Sequence, residues 1–254
     1  MQVLIDSIVV NYDVSGAGTK NVLVLHGWGD DMRSSAGISD ALSKKYTVIR
    51  LDLPGFGKTD MPRGDWDLTS YAKFLHIFIN KIKKNNLHAV IGHSNGGAIA
   101  IRAISLGLIK TDKLVLLASS GIREQKKVKK SLYSLIAKTG KISTFWLPKP
   151  QKDHLKRKLY NNIGSDLLVA PQLKNTFKKI VKDDIKKDAL KISVATLLIY
   201  GDNDKSTPPE YGKKLNKLIT KSNLIIVPDC GHFVHLENPE FINKKILEFL
   251  GVSI

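Results

Sequence analysis

Six short apolar runs recur along this chain of 254 residues, at 22–25, 46–49, 89–91, 114–117, 196–200 and 224–227. Each run is nearly continuous, where a half-exposed strand would alternate apolar with polar. Continuous runs of this length suit strands buried on both faces, as in a parallel sheet. Helical patterns lie between them. Tyr71, Phe74, Leu75, Phe78, Ile79 and Ile82 recur at helical spacing and form one apolar stripe, and Asp67 is placed to cap that helix. Thr207-Pro208-Pro209-Glu210 reads as a capping box with proline in the first turn, opening a helix that runs to Ile219. Asn238-Pro239-Glu240 opens another, which Gly251 closes. Strand–helix alternation of this kind predicts an α/β fold with a mostly parallel sheet.

The pattern departs from alternation twice. At the start, residues 3–5 and 8–12 read as an antiparallel pair turning at Asp6-Ser7, with Gly16 to Gly18 as the exit turn. After residue 119, about seventy residues pass without a strong strand signal. Their apolar positions (Leu132, Leu135 and Ile136; Leu155 and Leu159; Phe177, Ile180, Val181 and Ile185) suit several short helices. Gly140, Pro148, Pro150, Gly164 and Pro171 fall in the loops between them. The expected organisation is a core of residues 1–120 and 190–254, with residues 121–189 inserted as a helical cap.

The chemistry centres on Gly92-His93-Ser94-Asn95-Gly96, which follows one apolar run and precedes a small-residue helical stretch. This is G-x-S-x-G in the strand–turn–helix setting of a nucleophile elbow, a turn that forces its serine outward. A serine hydroxyl is a weak nucleophile at neutral pH. It needs a base, and the base needs a partner that fixes its tautomer. Asp204 follows the run at 196–200 in Gly201-Asp202-Asn203-Asp204, and His232 follows the run at 224–227 in Cys230-Gly231-His232. All three residues therefore lie just beyond strand ends, where sites in parallel sheets gather. Asp202 is the competing acid, read instead as a loop brace. Two N–H donors should hold the developing oxyanion, worth about 3–4 kcal/mol per donor. The expected pair is the backbone N–H of Asn95 and that of Trp28, in the loop His26-Gly27-Trp28-Gly29.

Taken together, His26-Gly27-Trp28-Gly29, Asp52-Leu53-Pro54-Gly55-Phe56-Gly57, the elbow, Gly201-x-x-Asp204 and Gly231-His232-Phe233 resemble the α/β-hydrolase superfamily. The core resemblance covers about residues 1–120 and 190–254. It is closest to the capped serine hydrolases, a group that includes small carboxylesterases, proline iminopeptidases and carbon–carbon bond hydrolases. The stretch from Ile163-Gly164-Ser165-Asp166 to Asp183-Asp184 resembles caps of bacterial members. The resemblance implies an eight-stranded core sheet, an acyl-enzyme mechanism without metal or cofactor, and a pocket between core and cap. Serine at position 94 argues against the superfamily's dehalogenases and epoxide hydrolases, which use aspartate there. Ester hydrolysis is the expected activity. Carbon–carbon bond cleavage or cofactor-free perhydrolysis would use the same triad, and a ligand-binding receptor on the same scaffold is the non-enzymatic alternative.

The net charge of +17 is unevenly placed: residues 121–190 carry 18 Lys or Arg against 6 Asp or Glu. A basic cap suits a small acyl substrate that is itself anionic. A solvated lysine-rich surface is the plainer reading of the same charge. No aromatic-interleaved, zinc-knuckle or helix-turn-helix pattern accompanies it, so no nucleic-acid partner is expected. No apolar run approaches membrane-spanning length, the first ten residues do not read as a signal peptide, and Cys230 is the single cysteine. These features lead to an expectation of a cytoplasmic protein.

Two motifs read as decoys. His232-x-x-His235 has metal-ligand spacing without a companion carboxylate motif. Gly57-Lys58-Thr59 imitates a P-loop end but has Asp52 where the first glycine belongs. His93 is expected to pack, and His26 to brace its loop rather than act as a base. Cys230 reads as a small buried residue. Phe145, Trp146 and Trp66 are placed either along the cleft or in the core.

Overall fold

The computed structural model describes residues 1–123 and 170–252. Eight strands form one sheet: β1 (Gln2–Ile5), β2 (Ile8–Ser15), β3 (Asn21–Leu25), β4 (Thr47–Leu51), β5 (Leu87–His93), β6 (Thr111–Leu117), β7 (Ala195–Gly201) and β8 (Ser222–Val227). Their order is β1-β2-β4-β3-β5-β6-β7-β8. The β1–β2 and β2–β4 pairings are antiparallel and the remaining five are parallel. The expected edge hairpin is present, and Asp6 and Ser7 both take the positive φ that a tight two-residue turn demands.

Eight α-helices are described: α1 (Ala36–Leu42), α2 (Leu68–Lys81), α3 (Asn95–Ser105), α4 (Lys174–Ile180), α5 (Lys186–Ala189), α6 (Pro209–Leu218), α7 (Val234–Glu237) and α8 (Pro239–Leu250). The continuous apolar runs have the predicted consequence, for alternate residues of each strand enter different cores. Leu23, Leu25, Ile49, Leu51, Leu114, Leu116, Leu198 and Tyr200 pack with α2 and α3 on one face. Val22, Val24, Val48, Ala89, Ile91, Val115, Leu117, Leu197 and Ile199 pack with α1 and α8 on the other. A strand covered on both faces needs no polar residues, which is why the alternation disappears.

Helix boundaries mostly follow the capping signals. Asp67 accepts the Ser70 N–H and starts α2, and Gly251 ends α8 in the left-handed conformation. The capping box at Thr207 is a correction. Pro208 is the residue that caps α6, with no side-chain bond, and the Thr207 hydroxyl is engaged elsewhere. The short helix α1 had no clear signal in the sequence.

The expected cap lies largely outside the described residues, as do Phe145, Trp146 and the helical positions from Leu132 to Leu159. The described end of this connection consists of a 3-10 turn (Pro171–Leu173), α4 and α5. It is tied to the core by buried Leu173, Ile180, Ile185, Ala189 and Ile192 and by polar contacts. Arg102 on α3 donates to Asp188 at 3.0 Å and to the Thr69 hydroxyl at 2.7 Å. Asp183 accepts from the Leu68 N–H, and the Thr176 hydroxyl from the Trp66 N–H. The Trp66 ring itself packs on Tyr71 and Phe74 of α2.

Candidate active site

The strand order places two loops side by side at the carboxyl edge of the sheet. From β3 the chain moves outward to β4, then returns across β3 to β5, so β3 and β5 flank a topological switch point. Ser94 ends β5 and the loop from His26 ends β3. The Ser94 backbone has φ 49° and ψ −115°, an uncommon conformation for a residue with a side chain, costing about 1–3 kcal/mol. Surrounding bonds impose it: the Ser94 N–H donates to the Leu117 carbonyl, and the Ser94 carbonyl accepts from the Ser120 N–H. The flanking glycines are required by close approach. A Cβ on Gly92 would stand 2.6 Å from Gly97, and one on Gly96 would stand 2.5 Å from the His26 carbonyl oxygen.

The loop after β3 runs past Ser94: a Cβ on Gly27 would lie 3.2 Å from the Ser94 Cβ. His26 fixes this loop as expected. Its Nε2 accepts the Leu53 N–H at 2.9 Å, so the ring proton is on Nδ1 and donates to the Gly27 carbonyl at 2.8 Å. Burial lowers its pKa, which keeps the brace neutral. Trp28 is half-buried, with its ring edge-on to Phe56 at 4.9 Å and tilted against Phe177 of α4 at 5.2 Å. Asn95 opens α3, so its N–H is one of the helix-start donors that lack an intrahelical partner.

Asp204 is buried, whereas Asp202 is exposed. The Asp204 carboxylate is fully engaged. Oδ1 accepts the backbone N–H groups of Ser206 and Thr207, and Oδ2 accepts the Thr207 hydroxyl at 2.7 Å and the His232 Nδ1–H at 2.8 Å. Burial pushes this carboxyl up, but the bond and charge of His232 and the bonds from Thr207 outweigh it and hold it below the usual range. Asp204 is therefore ionised and aligned on His232.

His232 is held from two further directions that sequence reasoning missed. The His93 Nε2–H donates to the His232 carbonyl at 3.0 Å, and the two rings lie 4.8 Å apart. His93 does more than pack, because it ties the end of β5, next to Ser94, to the backbone of His232. Glu237 accepts the N–H groups of Gly231 and Phe233, clamping the loop from the α7 side. A glutamate shortly after a loop–helix junction is the signal for such backbone capture, as in a capping box. Among the described residues no hydrogen bond joins the Ser94 hydroxyl to His232. Such bonds commonly tighten only when substrate binds.

Burial, reinforced by the neighbouring His235 and His232, holds the His93 pKa well below its ordinary value. Burial and then His232 push that of His235 down to about 4. Among the described residues no group of three or more His, Cys, Asp or Glu is arranged to hold a metal. The apparent P-loop end is structural: the Lys58 N–H donates to Asp52 and the Thr59 hydroxyl accepts the Asn11 N–H. Cys230 is buried. Among the described residues no helix is long and apolar enough to cross a membrane.

A family model described as the alpha/beta hydrolase family matches residues 22–245. The chain is 25% identical, over 268 aligned positions, to the 2-hydroxy-6-oxo-6-(2'-aminophenyl)hexa-2,4-dienoic acid hydrolase of Metapseudomonas resinovorans. That match covers 96% of this chain and 88% of the relative. Among solved structures, a membrane phospholipase A superposes with a TM-score of 0.81 at 22% identity, covering 98% of this chain and 84% of that one. The enol-lactonase of Burkholderia xenovorans LB400 superposes with a TM-score of 0.78 at 18% identity, covering 98% and 99%. At these identities the two structures speak for the shared fold alone.

Proposed function

The chain belongs to the α/β-hydrolase family, and from that premise we propose that it is a serine hydrolase cleaving an ester or related small acyl substrate. One observation carries this reading. The ionised Asp204 holds the Nδ1–H of His232, and that histidine's own backbone is bonded to the neighbour of an elbow serine. In this mechanism Ser94 Oγ attacks the carbonyl carbon while His232 Nε2 takes the hydroxyl proton. Asp204 keeps Nδ1 protonated and stabilises the imidazolium. The N–H groups of Asn95 and Trp28 receive the oxyanion. His232 then gives the proton to the leaving group, and a water molecule, activated by the same histidine, releases the acyl group. The Nδ1–H bond matters because it fixes the tautomer whose Nε2 lone pair faces away from the acid.

Residues 121–189 form the cap in this reading, with the substrate pocket between cap and core. The contact of Phe177 with Trp28 supports it, since it brings the described end of that segment against the oxyanion loop. The excess of Lys and Arg across residues 121–190 favours an acyl substrate with negative charge. The solitary cysteine suits a reducing cytoplasm.

Fluorophosphonate labelling tests the central claim. Wild-type protein should label at Ser94, mapped by peptide mass spectrometry, and Ser94→Ala should not; folded protein that fails to label would sink the reading. A panel of p-nitrophenyl esters of graded length, with neutral and carboxylated pairs at low and high salt, then tests the acyl preference. Carbon–carbon bond hydrolysis is the second reading, favoured by the likeness to the Metapseudomonas dienoic acid hydrolase. Turnover of a ring-cleavage dienoate exceeding that of every ester on the panel would select it.

A further inference from the structure

Among the described residues, Thr207 is the one side chain hydrogen-bonded to both Asp204 and His232, and the inference about it rests on the triad reading above. Its hydroxyl lies among three groups: Asp204 Oδ2 at 2.7 Å, the Ala118 carbonyl at 2.8 Å and His232 Nδ1 at 3.1 Å. These come from the ends of three strands, β7, β6 and β8. A hydroxyl has one proton to donate and two lone pairs to accept with. Two of its neighbours only accept, and the third, Nδ1–H, only donates. With Asp204 ionised, the hydroxyl proton goes to the carboxylate, since charge-assisted bonds are the stronger ones. The Nδ1–H then points to that same oxygen.

Remove the carboxylate and the arrangement has a second solution. The hydroxyl proton turns to the Ala118 carbonyl, and a lone pair on Oγ1 faces the Nδ1–H of His232. Both partners already stand within hydrogen-bond range, so side-chain rotation alone suffices. The acceptor is well anchored. Ala118 takes a positive φ of 45°, and its N–H is bonded to the Ile199 carbonyl at 2.8 Å. Thr207 is buried, and its hydroxyl makes no bond to the start of α6, the duty its sequence position suggested.

We propose that Thr207 is a positioning residue that serves as a reserve acceptor for His232, preserving the Nδ1-protonated tautomer when Asp204 is absent. A residue that only shapes the carboxylate behaves differently. Once the carboxylate is gone such a residue has nothing left to position, and its loss then costs nothing more. A reserve acceptor matters most in that crippled enzyme.

The test measures second-order rates of labelling by a fluorophosphonate in the full-length protein. In this reaction Ser94 Oγ displaces fluoride from phosphorus and His232 Nε2 takes the hydroxyl proton. Ser94→Ala should abolish labelling; persistence there tells against the triad reading itself. Asp204→Ala should slow labelling by about 10^3- to 10^4-fold. Thr207→Val alone should cost less than about fivefold, and in the Asp204→Ala background about tenfold or more. Thr207→Ser, which keeps the hydroxyl, should leave the Asp204→Ala rate unchanged. Equal losses from valine in both backgrounds, or no further loss in the second, overturn the proposal.

A readout independent of reactivity covers the case in which a valine variant folds poorly. Nitrogen NMR of the His232 ring should show the Nδ1–H tautomer in Asp204→Ala and in Asp204→Ala/Thr207→Ser. An Nε2–H tautomer in Asp204→Ala, with Thr207 intact, also overturns it.

Discussion

The two sides of the active site are held by different forces. On the sheet side, Ser94, Asp204 and His232 sit at strand ends whose backbones are locked by parallel pairing and by loop hydrogen bonds. The Leu117, Gly201 and Val227 ends of β6, β7 and β8 are buried. On the other side, the described end of the β6–β7 connection buries Leu173, Ile180, Ile185, Ala189 and Ile192 against the core and adds ion pairs and single side-chain bonds centred on Arg102. Backbone ladders are cooperative and insensitive to individual side chains, whereas a charge cluster depends on each member. In the proposed mechanism the chemistry lies on the rigid side, and the polar part of the side that contacts Trp28 through Phe177 is tunable by one or two substitutions.

This contrast can be broken or sharpened by experiment. The largest effect belongs to the sheet side. Ser94→Ala should lower kcat by a factor on the order of 10^6 while leaving the melting temperature within a few degrees of wild type. A large loss of stability would mean that the serine, and not the backbone around it, maintains the elbow.

Next comes Arg102→Ala. The guanidinium and Asp188 are nearly buried, at 14% and 12% side-chain exposure. Removing one partner strands the other, so denaturant unfolding should register a loss of about 3 kcal/mol. The effect on catalysis should fall on KM before kcat. Arg102→Met/Asp188→Leu should recover much of the stability, because the stranded charge is gone as well.

Acid titration probes the histidines beneath the base. His235 has an ordinary value of 6.5 that the fold pushes down to about 4. The unfolded chain therefore binds the proton first. The stabilising contribution is intact above pH 6.5 and is lost as pH falls toward 4, amounting to roughly 3 kcal/mol. Melting temperature against pH should show this acid limb, and His235→Phe should flatten it. An unchanged slope in that variant would place the acid sensitivity elsewhere, with His93 as the next candidate.

The smallest effect concerns His93. His93→Leu removes the donor to the His232 carbonyl, and kcat should fall by about five- to tenfold at constant KM. His93→Gln, whose amide nitrogen reaches the Nε2 position, should restore most of it. Loss of both parameters together would indicate a packing role only.

Much of this architecture was legible because buried strands and catalytic turns leave strong local marks. The two-faced core follows from apolar runs such as 114–117, and the edge hairpin from Asp6-Ser7. The pairing of Asp204 with His232 was traceable because each follows a strand, and the structure adds that Asp202, the rival, faces solvent. What stayed hidden depends on contacts across the fold. His93 bonds to a carbonyl 139 residues away, and no pattern around it records that partner. Thr207 carried a convincing local signal for a helix cap, and tertiary contacts with Asp204, Ala118 and His232 overrode it. Nothing in the sequence around Arg102 marks its role, since its partners lie beyond residue 180 and on the opening turn of α2.

The register between β6 and β7, from Lys113–Ala195 to Leu117–Ile199, joins the two halves of the chain. In the proposed mechanism the nucleophile and oxyanion donors all lie before residue 100, while the acid and base lie after residue 200. A polypeptide split between these strands would put half of the machinery on each fragment, and neither would be active alone. Catalysis would return only when the fragments re-formed that one parallel seam, so enzymatic rate would serve as a reporter of fragment complementation.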